Sequence, residues 1–560
     1  MSDFSNIANA PQSTDEASLA QLADLLSRAQ YTNEAIAELL GESAFAALMR
    51  DQVVPARYQL EHQRADFSES ENALAALISL FLVGESHSVT EFDRALGADS
   101  AQLFTQLGLA HLSDDAATVR ASVDLRPHSA DDGVDIWVAS DLPAHIVRGT
   151  LRKDHVLGIG HASRSLAQFT HRAPVDRALD LGTGCGIQTF HLLAHAQHVT
   201  ATDISERALA FTAFNLLLNA KALGIDPGCP QDRVELKLGS LLEPVAGEHF
   251  DLVVSNPPFV ITPRQEQETA DQQFTYRDGG LAGDAIVSTL VKTLPSVLNP
   301  GGTAQMLGNW EIPQISAAAD DNAPTENNAS TANNADPENT ENNWSERLRE
   351  WLDSDTEAWV IQREELDPAQ YAETWLRDSS ETANPQAFDA AYSNYLADFA
   401  SRNVGSIGFG MIWLRKPHTN QQPLLQRFEE ITYPLQQPIA PFFADEISFF
   451  DRLKKMSDED LLKLHLVVAS DVTEERHSAP GAEHPGVILL REGAGLRRTI
   501  LESTATAGFV SACDGELNAG QIVNALEALL EWEGTDEREE LVAHVRKLIL
   551  QGFLRIDEEN

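Results

Sequence analysis

Four short stretches carry residues whose types and spacing could do chemistry. In "ALDLGTGCGIQTFHLL", Asp180 closes an apolar run, and Gly182, Gly184 and Gly186 follow at alternate positions before an apolar-periodic segment. Glycines so spaced admit unusual backbone angles and let a ligand approach the main chain, while the helix N-terminus behind them supplies unpaired N–H groups. In "HVTATDIS", Asp203 ends a second apolar run with acceptors for both hydroxyls of a ribose, and Ile204 beside it can cover an adenine face. "LKLGSLLEP" puts Gly239, Ser240 and Leu241 at a third such end, where backbone and side chain could meet an adenine edge. The fourth stretch, "FDLVVSNPPFV", stops on Asn256, Pro257, Pro258 and Phe259. Two rigid rings that donate no backbone hydrogen bond, set between an amide and an aromatic, suit a binding surface better than a plain connection.

These residues need strands to end on and helices to follow them. From about residue 165 to 417 the pattern alternates the two, which predicts a doubly wound, mostly parallel sheet. Seven runs read as its strands: "VDRALDLG", "HVTATD", "RVELKLG", "FDLVVSN", "GGTAQMLG", "EAWVIQR" and "SIGFGMIWLR". Ligands of such sheets sit in the crevice outside the carboxyl ends of the strands, which is where all four stretches fall. The spacing D-x-G-x-G-x-G brings its third glycine one residue earlier than the dinucleotide fingerprint does, and no Gly-Lys-Ser/Thr follows, which excludes a P-loop. Each group also has a plain structural use. The glycines could simply make a tight turn, and Asp203 could cap the helix "SERALAFTAFNLLLNA", although Ser205 is the better cap. Cys185 reads as a small loop residue rather than a nucleophile, because no His or Asp is placed beside it by motif.

The flanks differ in character. Residues 1–125 read as amphipathic helices, from "LAQLADLLSRAQ" to "ALAALISLFLV", then as a helix pair and alternating residues with a turn at "SDD", an order like that of a winged helix. The second helix of that pair, "SAQLFTQLGLA", carries no Lys or Arg, which favours a packing or partner role over nucleic-acid binding. A connecting segment, 126–164, holds the strand-like "VDIWVASDL" and opens the lead-in "DHVLGIGHASRSLAQF". Residues 425–560 form another winged-helix-like unit, with "GVILLREGAGLRRTILEST" as strand, glycine turn and strand ahead of two helices. Residues 316–343 lack the large apolar side chains that would offset chain entropy, and are expected to be a disordered surface insertion of the middle domain.

Composition sets outer limits. Of 560 residues 43% are hydrophobic, a globular composition with length for about three or four domains. The longest apolar run is shorter than a bilayer span, and the N-terminal stretch has neither a basic n-region nor an apolar h-region, so a soluble, cytoplasmic protein is expected. Cys185, Cys229 and Cys513 lie far apart without CxxC spacing, suggesting neither a disulfide framework nor a zinc site. Acidic residues outnumber Lys and Arg by 85 to 40, a formal charge of −45. Such a body repels a polyanion at long range, so any nucleic acid would have to be held by a local basic patch.

Taken in order, the Gly-rich turn, Asp203, the Ser240 end and "SNPPF" resemble the class I S-adenosylmethionine-dependent methyltransferases over about 165–417. The resemblance implies a seven-stranded, doubly wound, Rossmann-like α/β sheet with S-adenosylmethionine held by Asp180, Gly182, Gly184, Gly186, Asp203, Ile204, Ser240, Leu241 and Asn256. Related enzymes often have Asp where Ser240 stands, a departure at the adenine contact. The tetrad Asn256–Pro257–Pro258–Phe259 matches the signature of amino-methyltransferases, which act on adenine N6, guanine N2 or a glutamine side-chain amide. It implies that Asn256 Oδ1 and the Pro257 carbonyl accept the two N–H bonds of a conjugated NH₂ and turn its lone pair toward the methyl group, while Phe259 stacks on the planar target. Downstream, "YRDGGLAGDAIVSTLV" resembles the Gly-Gly-x-x-Gly loop of release-factor glutamine methyltransferases. The fused N-terminal region and "DHVLGIGHAS" are instead similar to the ribosomal-RNA guanine-N2 branch, the small-domain methyltransferases. An amino nitrogen of RNA is therefore set ahead of a protein glutamine. A cofactor-binding scaffold with partner-binding flanks is the non-enzymatic alternative, against which the intact tetrad argues.

Overall fold

The computed structural model describes residues 1–63, 67–129, 135–147, 151–263, 280–314, 343–378, 385–418, 423–532 and 534–557. The insertion expected at 316–343 lies, apart from Asn343, outside the described residues.

Eight strands form one sheet: β1 (Val175–Leu181), β2 (Ala196–Asp203), β3 (Val234–Leu238), β4 (Phe250–Ser255), β5 (Leu298–Pro313), β6 (Glu357–Leu366), β7 (Val404–Arg415) and β8 (Gln426–Glu430). Their spatial order is β3-β2-β1-β4-β5-β7-β6-β8. Pairings from β3 through β5 are parallel, whereas β7 runs antiparallel to both β5 and β6. The seven expected strands are all present, but the sheet has eight. The extra strand, "QRFEE", has a single apolar residue, Phe428, which packs against the main core beneath the Arg349 guanidinium, 3.9 Å from its ring centroid. A strand that depends on so local a contact has no periodic pattern to announce it.

The order reverses between β1 and β4. At that point four carboxyl ends lie level, since Leu181 pairs with Thr202 on one side and Ser255 on the other, and Asp203 pairs with Leu238. Helix α1 (Ile187–Leu193) follows β1 and is buried throughout; α2 (Glu206–Leu218) follows β2 and starts on the Ser205 cap, whose hydroxyl accepts from Ala208 N at 3.3 Å. Helix α3 (Ala285–Thr293) precedes β5 and contributes Ile286, Val287, Leu290 and Val291 to the core between helices and sheet. Between β6 and β7 the chain inserts two helices, α4 (Pro368–Asp378) and α5 (Pro385–Ser401). Because β6 ends and β7 begins at the carboxyl edge, this pair stands on the same side of the sheet as the four ligand-suited ends.

The same compact unit holds the N-terminal part, Met1–Ala167, together with Ala173–Thr419 and Arg427–Glu430. Helices at Glu16–Arg28, Asn33–Leu40, Glu42–Leu48 and Glu69–Leu77 match the expected amphipathic runs, and the last continues into a π-helical turn, Ile78–Val83. Helix Val54–Gln63 was not expected, because "VPARYQLEHQ" has no one-sided apolar stripe. Helices Val89–Leu96 and Ser100–Gln106 then lead to strands Ala110–Leu112 and Thr118–Ala121, the latter also pairing with His87–Ser88. A hairpin of Asp124–Ser129 with Asp135–Ser140 completes this part.

The second unit comprises Ile431–Asn560 with Gln168–Arg172 and Asn420–Gln426. One of its sheets sets His465–Val468 between Asp514–Asn518 and Leu554–Ile556, and the other runs Val472–His477, Val487–Glu492, Thr499–Glu502. Helices Ala440–Leu453, Thr504–Ser511, Ala519–Leu529 and Asp536–Leu550 enclose a core that includes Leu466, Phe509, Val523, Leu548 and Phe553.

Candidate active site

Asp180 is fully buried at the end of β1. Its Oδ2 accepts from Thr183 Oγ1 (2.7 Å), Thr189 Oγ1 (2.7 Å) and Thr189 N (2.9 Å), while Oδ1 is buried without a partner among the described residues. Burial pushes its carboxyl up to about 6, against the pull of the threonine hydrogen bonds, with the Asp203 charge adding to the rise. A carboxylate oxygen left orphaned in so dry a place is suited to a cationic partner.

The turn that follows is built as its glycines require. Gly182, Gly184 and Gly186 have φ of 80°, 59° and 94°, values that L side chains rarely adopt. At Gly186 a Cβ would lie 2.7 Å from the Phe190 ring, so this glycine lets α1 close on the turn. At Gly182 and Gly184 a Cβ would meet nothing within 4 Å, so these two leave a bare backbone facing open space. Gly184 N donates to Asp203 Oδ2 (3.0 Å) and Ser205 N donates to Oδ1 (2.9 Å). Burial raises the Asp203 carboxyl, and these backbone donors oppose the rise. Asp203 thus braces the turn and closes a short loop of its own, while Ser205, as expected, caps α2. Ile204 is 59% exposed, an apolar side chain presented to solvent beside the turn.

At the end of β3, Gly239 N donates to the Asp203 carbonyl (3.0 Å), which draws the third strand end against the second. Ser240 and Leu241 are half-buried, the Ser240 carbonyl accepts from Glu243 N (3.0 Å), and Leu241 takes a left-handed φ of 47°. Next to β1 on the other side, Ser255 Oγ donates to the Leu181 carbonyl (2.8 Å), which fixes the end of β4. Asn256 follows it, and its Oδ1 is buried with no hydrogen-bond partner among the described residues. Pro257 is buried, and Phe259 lies half-buried with its ring 5.4 Å from that of Phe409 on β7, at an interplanar angle of 49°.

Several residues that hold this site were not singled out from the sequence. Thr183 and Thr189 aim Asp180, while Thr212 Oγ1 donates to the Gly184 carbonyl (3.0 Å) and Asn215 Nδ2 to the Cys185 carbonyl (2.9 Å). A signal for the last two was present: polar residues spaced through "FTAFNLLLNA", a helix otherwise apolar on every side, imply that side chains are spent on buried backbone. Cys185 is buried and its thiol pushed up to about 12, which removes it as a nucleophile. Of the Gly-Gly-x-x-Gly stretch, Gly280 and Gly283 are described, both left-handed with φ of 74° and 59°. A Cβ at Gly283 would come within 2.9 Å of Glu311 Oε1. Among the described residues two guanidinium groups at the carboxyl edge are paired with carboxylates, Arg402 with Glu311 and Asp398 (both 2.7 Å) and Arg347 with Asp284 (2.6 Å). Among the described residues no His, Cys, Asp and Glu cluster is arranged to hold a metal ion, and no helix is long and apolar enough to cross a membrane.

Strand order, the reversed β7 and a glycine turn between β1 and α1 define a Rossmann-like methyltransferase fold on a large mixed sheet. Within it residues 157–319 match the family described as "Methyltransferase small domain". Residues 28–122 match a domain of unknown function, DUF7059. The chain is 31% identical over 160 residues to the ribosomal protein uL3 glutamine methyltransferase of Bradyrhizobium diazoefficiens, covering 28% of this chain and 46% of that protein. It is 35% identical over 145 residues to the release factor glutamine methyltransferase of Geobacter sulfurreducens (25% and 46%). It is 27% identical over 139 residues to the ribosomal RNA small subunit methyltransferase C of Alcanivorax borkumensis (25% and 34%). The chain thus spans less than half the length of these relatives.

Proposed function

We propose that the protein is an S-adenosylmethionine-dependent N-methyltransferase that acts on a conjugated amino nitrogen of a macromolecule. The observation that carries this reading is Asn256 Oδ1, a buried acceptor without a partner among the described residues, at the strand end next to the Asp180–Gly186 turn. The residues fit the cofactor. Open space over Gly182 and Gly184 admits a ligand to the backbone, the orphaned Asp180 Oδ1 suits its ammonium, Asp203 keeps lone pairs for a ribose, and Ile204, with Ser240 and Leu241 near it, suits its adenine. When bound, the cofactor supplies an electrophilic methyl group on sulfur. Asn256 Oδ1 and the Pro257 carbonyl accept the two N–H bonds of the target, which loosens conjugation of its lone pair and stabilises positive charge growing on nitrogen. The prolines hold those acceptors rigid, and Phe259, itself fixed by Phe409, backs the planar group. The methylated nitrogen then loses its proton readily, so no strong base is needed.

For the macromolecule, a protein side-chain amide stands first. Its supports are the neutralised Arg347 and Arg402 at this edge, the formal charge of −45, and two relatives whose names specify glutamine. A nucleobase in RNA, guanine N2 or adenine N6, is the second reading, supported by the relative named for ribosomal RNA and by a winged-helix-like reading of the helix pair and strands at 87–121. The winged-helix-like reading of 425–560 is that of a partner-binding unit, in a cytoplasmic protein. The test is to incubate the protein with labelled methyl donor and ribosome-containing extract, then digest separately with nuclease and protease. Label released by protease alone supports the amide, and label released by nuclease alone overturns it in favour of RNA.

A further inference from the structure

We propose that Tyr371, on the helix pair inserted between β6 and β7, is a positioning residue for methyl transfer; the inference rests on the methyltransferase reading above. After Pro257 and Pro258, which have no N–H to offer, the loop leaves the sheet and turns inward at Ile261, which is 1% exposed. A buried amide there needs an acceptor. The acceptor is the Tyr371 hydroxyl, 2.9 Å from Ile261 N, and the same oxygen receives Asn309 Nδ2 from β5 at 2.8 Å. Three elements, the loop, α4 and β5, therefore converge on one buried hydroxyl.

Tyr371 is itself held in place. Its ring is 2% exposed, met edge-on by Phe399 of α5 at 5.7 Å and flanked by Trp375 at 6.0 Å, in a small core with Ile261, Leu376, Tyr395, Val404 and Ile407. Asn309 faces Phe409 directly across the β5–β7 ladder, so the two side chains share a face of the sheet, and Phe409 in turn meets Phe259. Both the aromatic and the backbone beyond the tetrad are thus braced from this cluster. The prolines carry the consequence upstream: with φ fixed at two successive residues and Phe259 held by Phe409, fewer rotations are left to absorb a displacement at Ile261 before it reaches the Pro257 carbonyl and Asn256. Those two acceptors must meet an amino group in a narrow geometry, and a shift of about 1 Å at such a point lowers a rate on the order of a hundredfold.

The test is Tyr371→Phe, which keeps the ring and removes the hydroxyl, with Asn309→Ala as a second variant that weakens the same anchor from the other side. With wild-type protein first shown to methylate a component of extract, Tyr371→Phe should lower kcat by about ten- to a hundredfold. KM and calorimetric Kd for the methyl donor should stay unchanged, and amide hydrogen exchange should accelerate at 259–263. Asn309→Ala should move kcat in the same direction by less. Faster exchange with unchanged kcat would show the hydroxyl to be merely structural and overturn the inference, as would a loss of donor binding equal to the loss of rate. Wild-type protein that binds the donor yet methylates nothing overturns the proposed function itself, a result visible before any variant is made.

Discussion

Asn215 Nδ2 donates to the carbonyl of Cys185 at 2.9 Å, which ties helix α2 to the middle of the Gly-rich turn. The same amide pairs with both backbone groups of Ala139, donating to its carbonyl (2.9 Å) and accepting its N–H (2.8 Å). One turn on, Asn219 repeats this with Trp137 (2.7 and 2.8 Å). Two side chains of a helix thus serve the edge of strand Asp135–Ser140 as a neighbouring strand would, and one of them also holds the turn beside the candidate cofactor site. Nearby, buried Arg207 pairs with Asp141 through both terminal guanidinium nitrogens (2.6 and 2.9 Å) and donates to the carbonyls of Asn9 and Asp154, so α2 gathers three N-terminal segments at once.

The expected outcome for Asn215→Ala is therefore double. Ala139 N–H and C=O and the Cys185 carbonyl lose partners in a buried place, which should cost about 2–3 kcal/mol in stability. Donor affinity should also fall, because the turn loses a brace. Asn219→Ala, which touches only Trp137 and the helix, should lower stability with little change in affinity. Denaturant unfolding and calorimetric titration of the two variants side by side would decide whether the two roles separate.

Asn256→Ala should lower turnover by about a hundredfold or more while changing donor affinity far less, since the proposed role of the orphaned Oδ1 is to accept from the target. Asp203→Ala should do the reverse in the first instance. It removes the acceptor for Gly184 N and the proposed acceptor for a ribose, and should weaken donor binding by about tenfold or more. Steady-state rates set against binding constants would expose an error in either assignment, because unchanged turnover in the first variant or unchanged affinity in the second contradicts it directly.

The two sets of residues were not equally legible beforehand. The strand ends and the tetrad could be read because their chemistry is local: a turn of alternate glycines, an acid ending an apolar run, two prolines after an amide. What supports them is not local. Tyr371 lies 110 residues from Ile261 along the chain, and Asn215 lies 76 from Ala139, so only folding brings each pair together. Strand β8 and helix Val54–Gln63 escaped for a related reason, since each is held by tertiary contacts that leave no periodic pattern in its own residues.

The proposed role of Asp180 in donor binding carries a pH dependence. In the folded protein its carboxyl is pushed up to about 6, so at pH 7 it is mostly ionised and by pH 5 mostly protonated. If the anion is what meets the ammonium of the donor, affinity should hold above pH 7 and fall by about tenfold per unit once pH drops well below 6. Asp180→Asn, which keeps an oxygen for Thr183 and Thr189, should bind more weakly at pH 7 and lose that slope. A wild-type Kd that stays flat from pH 8 to pH 5 would detach Asp180 from the donor.

In the second unit the titrating group is Glu492, 8% exposed on strand Val487–Glu492. Its Oε2 accepts the Arg498 N–H (2.8 Å), but the Arg498 guanidinium sits closer to Glu446 (2.8 and 3.1 Å) than to Glu492 (3.4 Å). Burial outweighs that partial pairing, and the charges of Glu446 and Asp471 add to it, so the Glu492 carboxyl is pushed up to about 7. Because the folded value lies above the usual 4.5, the folded state holds this proton more tightly than the unfolded chain does. Its stability contribution is fully present below about 4.5 and is lost as pH rises through about 7, an effect on the order of 3 kcal/mol. Glu492→Gln fixes the neutral form and keeps an acceptor for the Arg498 amide. Hydrogen exchange of the 487–502 hairpin should then quicken between pH 5 and pH 8, beyond its intrinsic rise, in the wild type and not in the variant, and equal pH slopes in the two proteins would assign the titration to another group.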